Sequence, residues 1–299
     1  MELRELVVAS GKGGTGKTTV ASSLAYLLHQ RLKLVAVDAD VDAPDLILAL
    51  GGGEKLEERK IEASEKARVN DNLCNGCGAC ESTCVYGAIR VEDGIAKVYD
   101  FLCEGCGACS LVCPNGAIRI EPYVTGVLVA QRTRHRFVTI TGRLRAGEHN
   151  SGKLVSAAKE MARERAKVEG AELLIVDAAP GIGCPVIASL SGASYVIAVA
   201  EPTPTSKRNL ERLVAVARHF NVPVGLVLNK AELSSDYARK LEEWALFNLK
   251  VPILVELPVD YEAVRALANM KTPPELNPKA RISVALRSLA DRVEEIVGL

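Results

Sequence analysis

The chain has no surplus of charge of either sign: 37 Lys+Arg stand against 37 Asp+Glu in 299 residues. Proteins that mainly grip a nucleic-acid backbone usually carry a basic excess, so no nucleic-acid partner is expected. No run approaches the ~18 consecutive apolar residues of a membrane-spanning helix. The opening MELRELVVAS lacks the basic start, apolar stretch and cleavage site of a signal peptide. A cytoplasmic protein without a membrane partner is therefore expected. The four histidines (His29, His135, His149, His219) are scattered, with no metal or triad spacing. Glutamine is limited to Gln30 and Gln131, a bias of heat-adapted proteins. Hydrophobic residues, at 48%, supply a large core and exclude global disorder. Nine cysteines without an export signal point to metal or redox chemistry and away from disulfides.

Apolar runs alternate with stretches of helical spacing. Leu3–Ala9, Lys33–Asp38, Glu172–Asp177, Tyr195–Ala200, Val222–Asn229 and Pro252–Leu257 read as strands, and Thr18–His29 and Leu210–Phe220 as helices between them. Continuous Val/Ile/Leu strands between amphipathic helices predict an α/β fold, a mostly parallel sheet covered by helices on both faces with right-handed crossovers. Near the end, Ile282, Leu286, Leu289, Val293 and Ile296 recur at helical spacing. Asp291, Glu294 and Glu295 offset Arg281, Arg287 and Arg292, so this helix reads as a core helix rather than a membrane-surface one.

One region breaks the rhythm. GGGEKLEERK (Gly51–Lys60) reads as a glycine hinge and a mixed-charge run, after which cysteines dominate to Cys113 and Pro122 closes the segment. The expectation is an inserted domain over 61–122 within an α/β domain built from 1–60 and 123–299. The insert is an internal repeat: Leu73–Glu92 matches Leu102–Glu121, and Cys74, Cys77, Cys80 and Cys84 recur as Cys103, Cys106, Cys109 and Cys113. Each half is too small for a core alone, and two halves pinned by metal make a plausible unit.

Each half reads C-x2-C-x2-C-x3-C. Zinc also uses paired C-x2-C units, but three cysteines plus a fourth, duplicated, is poor zinc spacing. The segment resembles a bacterial-type 2[4Fe-4S] ferredoxin, a small α+β domain. That resemblance implies one cluster on Cys74, Cys77, Cys80 and Cys113, and the other on Cys103, Cys106, Cys109 and Cys84. Pro114 follows Cys113 as in the ferredoxin pattern, whereas Val85 follows Cys84, a departure.

The first strand enters Ser10-Gly11-Lys12-Gly13-Gly14-Thr15-Gly16-Lys17-Thr18-Thr19, then a helix. Gly11-x4-Gly16-Lys17-Thr18 is a complete P-loop in strand–loop–helix context. The glycines let backbone N–H groups cradle phosphate oxygens, Lys17 suits the β- and γ-phosphates, and Thr18 suits Mg²⁺. Gly11, Gly13 and Gly16 also satisfy G-x-G-x-x-G, but a dinucleotide site would leave Lys17 and Thr18 unexplained.

KGGTGKT, with its second lysine at Lys12, resembles the deviant Walker A ATPases: MinD, ParA, the nitrogenase iron protein and the Mrp iron–sulfur carriers. The resemblance covers most of the chain and implies ATP/ADP with Mg²⁺ and a homodimer closed around ATP, with Lys12 reaching the partner's nucleotide. It also implies that Asp40, in Asp38-Ala39-Asp40, positions the attacking water, with Asp38 near Mg²⁺. Asp177, ending Leu174-Ile175-Val176-Asp177, would hold Mg²⁺ through water, and the Gly181 N–H would sense the γ-phosphate. Asn229 would contact adenine, and the segment around Pro258 would line the base. Asp42 and Asp45 lie nearby, Asp45 being read as a plain helix cap. With its ferredoxin-like insert, the chain is expected to have a P-loop NTPase fold like those of MinD and the nitrogenase iron protein.

Cys184 follows Asp177–Gly181, a segment that resembles switch II of that family, and reads as a buried small apolar residue. The basic strip Gln131–Arg145 reads either as a docking face for an acidic surface or as solvated charge. The leading expectation is an ATPase that couples nucleotide state to electron transfer through two [4Fe-4S] clusters toward an unidentified redox partner. The rival is an Mrp-type carrier or assembly protein serving an apo iron–sulfur client. MinD-like spatial positioning would leave eight cysteines unexplained.

Overall fold

The computed structural model describes residues 3–298, which fall into two compact units. The first runs through Arg59, then Leu128–Arg143, and from Ser151 onward; the second comprises Lys60–Val127 and Leu144–Asn150. The 61–122 span read from the sequence therefore leaves out Leu144–Asn150.

In chain order the elements are β1 (Arg4–Ser10), α1 (Lys17–Leu28), β2 (Leu34–Ala39), α2 (Leu46–Ala49) and the long β3 (Gly53–Val69). Next come α3 (Ala79–Thr83), the hairpin β4 (Ile89–Glu92) and β5 (Ile95–Val98), α4 (Ala108–Leu111), β6 (Ile118–Thr133) and β7 (Val138–Leu144). The regular alternation resumes with α5 (Ser151–Glu169), β8 (Leu173–Pro180), α6 (Cys184–Leu190), β9 (Tyr195–Ala200), α7 (Pro204–His219), β10 (Val224–Asn229), α8 (Ser235–Leu249) and β11 (Ile253–Leu257). The chain closes with α9 (Glu262–Ala268), α10 (Pro273–Leu276) and α11 (Arg281–Val297).

Among the described residues one nine-stranded sheet has the order β11-β10-β9-β1-β8-β2-β7-β6-β3. From β11 to β7 the strands are parallel. β2, β9 and β10 are buried along their whole length, as expected of parallel strands covered on both faces. Leu6, Val8, Ala36 and Ile175 share a core with Leu24 and Leu28 of α1 and Leu286, Leu289 and Val293 of α11. The alternate residues Val7, Val35, Val37 and Val176 are equally buried, and α5 and α6 pack on β2 and β8. The terminal helix thus serves the core, although Ile296 is 38% exposed and Ala290 and Val297 take the inward places.

The mixed-charge run forms a strand. In β3, partly buried Glu57, Arg59 and Ile61 alternate with exposed Glu58, Lys60 and Glu62, the period of two that a strand imposes. Arg165 and Glu164 of α5 pair with Glu57 and Arg59. Its charged, solvent-facing residues also discourage edge-to-edge association.

In the second unit the buried residues are small: Ala67, Ala88, Ile89, Ala96 and Ile118, with Cys80, Cys103 and Cys109 among them. So little apolar volume makes cross-linking by bound metal a natural source of stability.

Candidate functional site

The P-loop follows β1, which lies between β9 and β8 in the centre of the sheet, and so opens at the carboxyl ends of the strands. Gly13 and Gly14 are exposed at its tip, Thr15 is buried, and α1 begins at Lys17. Gly16 is left-handed (φ 91°), and a Cβ there would lie 2.3 Å from Nδ2 of Asn229. That amide donates to the Thr15 carbonyl at 2.7 Å, and its Oδ1 accepts the Lys230 N–H at 2.9 Å. Asn229 therefore braces the loop at its turn. Pro258 is partly buried just beyond β11. Thr18 and Thr19 lie in the first turn of α1, and the Thr15 hydroxyl is buried without a hydrogen-bond partner.

Lys17 Nζ lies 2.7 Å from Asp177 Oδ1, both side chains being almost fully buried. Register pairs Asp177 of β8 with Asp38 of β2, so two strand-end acids stand side by side. Burial, followed by the Asp177 charge, pushes Asp38 up to about 8. Its carboxyl accepts the Leu46 N–H at 2.8 Å and the Asp40 N–H at 3.2 Å. Asp38 thus takes a backbone donor at the start of α2, while Asp45 sits at the cap position without a capping bond, which corrects its reading as the cap. Asp40 is also pushed up, chiefly by burial, with Lys17 opposing. The Gly181 N–H donates to the Ser10 carbonyl at 2.8 Å, which ties switch II to the base of the loop.

Glu201, missed in the sequence, joins this site. It is buried at the end of β9 and bonds Lys12 at 2.5 Å and Lys230 at 2.7 Å. Burial pushes its carboxyl up, but the two lysines outweigh that and hold it below its ordinary range. Lys230 also donates to the Gly14 carbonyl at 3.3 Å. The signal was available: an acid ending a buried strand needs a partner, and Glu201 follows the apolar run Tyr195–Ala200.

In the second unit the cysteines sort by fours. Cys74, Cys77, Cys80 and Cys113 line one pocket, and Cys84, Cys103, Cys106 and Cys109 line another. Each set takes three cysteines from one half of the repeat and one from the other. No three His, Cys, Asp or Glu among the described residues are grouped so as to hold a single metal ion. Backbone N–H groups of Ala96 and Ala117 donate to Cys74 and Cys113 Sγ at 3.4 and 3.3 Å. Those of Ala67 and Ala88 donate equivalently to Cys103 and Cys84. Ala67 precedes the repeat as read from the cysteines. The repeat in fact starts there, Ala67-Arg68-Val69-Asn70-Asp71 matching Ala96-Lys97-Val98-Tyr99-Asp100, a signal legible in the sequence. The left-handed Gly76 and Gly105 mark the same symmetry, since a Cβ would meet the Gly94 and Glu65 carbonyls at 2.4 and 2.2 Å. Burial pushes the Cys80 and Cys109 thiols up.

Three further readings change. Cys184 is exposed at the start of α6, because it precedes Pro185 in the helix's first turn rather than packing inward. Arg132 and Arg134 of the basic strip are engaged by Glu169 and Glu275. His29 and His135, distant in sequence, come within 5.6 Å ring to ring between Tyr26 and Phe137.

No helix among the described residues is long and apolar enough to cross a membrane. The chain is 32% identical over 295 residues to the uncharacterized protein MJ0578 of Methanocaldococcus jannaschii, covering 99% of this chain and 98% of that protein. A shorter match, 39% over 66 residues, covers 22% of this chain and 23% of the Dictyostelium discoideum homolog of the cytosolic Fe-S cluster assembly factor NUBP2. Among solved structures, the septum site-determining protein MinD complexed with Mg-ADP from Pyrococcus horikoshii OT3 aligns with a TM-score of 0.60. That alignment covers 99% of this chain and 98% of that one at 16% identity, a likeness of fold. The CobQ/CobB/MinD/ParA nucleotide binding domain matches residues 6–273. Sequence match, sheet and phosphate loop agree: the chain belongs to the MinD/ParA family of P-loop ATPases.

Proposed function

We propose that this protein is an ATP-hydrolysing homodimer that carries two [4Fe-4S] clusters and couples its nucleotide state to electron transfer. The observation that carries the reading is the sorting of eight cysteines into two four-cysteine cavities, each drawing its fourth member from the other half. The sulfurs already accept backbone N–H groups, which stabilise thiolate and cluster charge. When bound, such clusters supply one-electron transfer.

In the nucleotide site, Gly11, Gly13, Gly14, Thr15 and Gly16 would cradle the phosphates, and Lys17 would exchange its Asp177 partner for the β- and γ-phosphates. Thr18, Asp38 and Asp177 would hold Mg²⁺ with its waters, and Asp40 would orient the attacking water. Thr19 would join Thr18 in binding the nucleotide, and Asn229 and the Pro258 segment would border the base. Lys12, held by Glu201 within one chain, would be released to the partner's nucleotide as the dimer closes around ATP.

Anaerobic reconstitution followed by dithionite titration with and without ATP tests this. Retained clusters whose reduction changes with nucleotide support gating of electron transfer. A second reading, cluster assembly for an apo client, draws on the short match to a protein named as an Fe-S assembly factor. Loss of cluster to an added apo-ferredoxin would favour it.

A further inference from the structure

The two cysteine sites are near-copies, which makes a buried charge present at one and not at the other informative. Each has two backbone N–H donors to sulfur, at matching positions and distances. Lys66 breaks the symmetry. Its ammonium donates to the carbonyl of Cys103 at 2.9 Å and pairs with Glu148 at 3.1 Å, both side chains being 6% exposed. One repeat later its place is taken by the uncharged Ile95. Glu148 comes from Leu144–Asn150, the segment that joins the second unit from outside the repeat, and so has no counterpart at the first site.

We propose that the Lys66–Glu148 pair makes the sites inequivalent, so that the Cys84, Cys103, Cys106 and Cys109 site accepts the first electron. This rests on the cluster reading above. The ammonium end of the pair is the end bonded to a ligand residue, and a buried charge is screened far less than an exposed one. The opposing charge in the same loop, Glu104, is 42% exposed and lies 3.6 Å from His149. Lys66 is thus a positioning residue: it touches no sulfur but sets the field at one site. Each site takes one electron from a one-electron donor, and no bond to the protein forms or breaks.

The test is a dithionite potentiometric titration of the anaerobically reconstituted full chain, followed by electron paramagnetic resonance, for wild type, Lys66→Met and Glu148→Gln. Wild type should show two couples, with the first electron preferring one site at least tenfold, about 59 mV for a one-electron couple. Lys66→Met leaves Glu148 unpaired and should make one couple, and that one alone, harder to reduce. Glu148→Gln leaves Lys66 unpaired and should make the same couple easier to reduce. Opposite shifts of one couple cannot come from loosened packing, and iron content measured alongside registers a variant that fails to assemble. A single couple unmoved by either substitution, or two couples moving together, overturns the inference while the cluster reading stands. Wild-type protein that takes up no iron overturns both.

Discussion

Replacing Asp38 with Asn tests the electrostatics of the nucleotide site without any ligand. In the free protein burial and Asp177 hold the Asp38 carboxyl at about 8, against roughly 3.9 in an unfolded chain. Between about pH 4 and pH 8 the unfolded chain releases a proton that the folded chain keeps, so stability falls as pH rises and levels off above about 8. The limiting slope is about 1.4 kcal/mol per pH unit. Asp177 and Lys17 share the site and make this an upper bound. Asn cannot ionise, but it cannot accept both the Leu46 and Asp40 N–H groups, a cost of about 1–3 kcal/mol. Asp38→Asn should therefore be the less stable protein near pH 4.5 and the more stable one near pH 8, since titrations outside this site are common to both. Urea unfolding followed by Trp244 fluorescence reads this out, because Trp244 is the one tryptophan and lies in the nucleotide-binding unit. A stability difference that stays constant from pH 5 to 8.5 would refute the reasoning.

Three further outcomes are expected. Gly16→Ala forces a side chain into a left-handed turn, about 1–2 kcal/mol by itself, and against the Asn229 amide. Nucleotide affinity measured by calorimetry should fall at least tenfold. Lys12→Ala should abolish ATP-dependent dimerisation in sedimentation while leaving ADP binding to the monomer within a few-fold of wild type. Cys113→Ser removes the one member of the first cavity that comes from the second half of the repeat. It should cost roughly half of the bound iron, with the other site still reducible.

What was legible in the sequence was local. Strand, glycine loop and helix follow one another without interruption from Leu3 to His29, so the P-loop and its lysines could be placed by spacing alone. The cysteine groupings rest on a repeat whose period is written in the chain. The strand formed by the charged run was not legible, because Glu57 and Arg59 find their partners only in Arg165 and Glu164 of α5, over a hundred residues later. Lys66 and Glu148 meet through tertiary structure, and neither carries a motif. Glu201 and Ala67 differ from these: a strand-end acid and the longer repeat Ala67–Asp71 with Ala96–Asp100 are both readable in the chain. Cys184 shows the opposite limit, because an apolar neighbourhood in sequence did not fix which way a helix-initiating residue faces.

The central claim is that one chain joins a nucleotide-driven unit to two iron–sulfur sites. Counting iron, acid-labile sulfide and zinc on anaerobically purified full-length protein tests it most directly. About eight iron and about eight sulfide per chain, with no stoichiometric zinc, are expected. Colourless, iron-free protein that still binds ATP, or protein with zinc in place of iron, would contradict it.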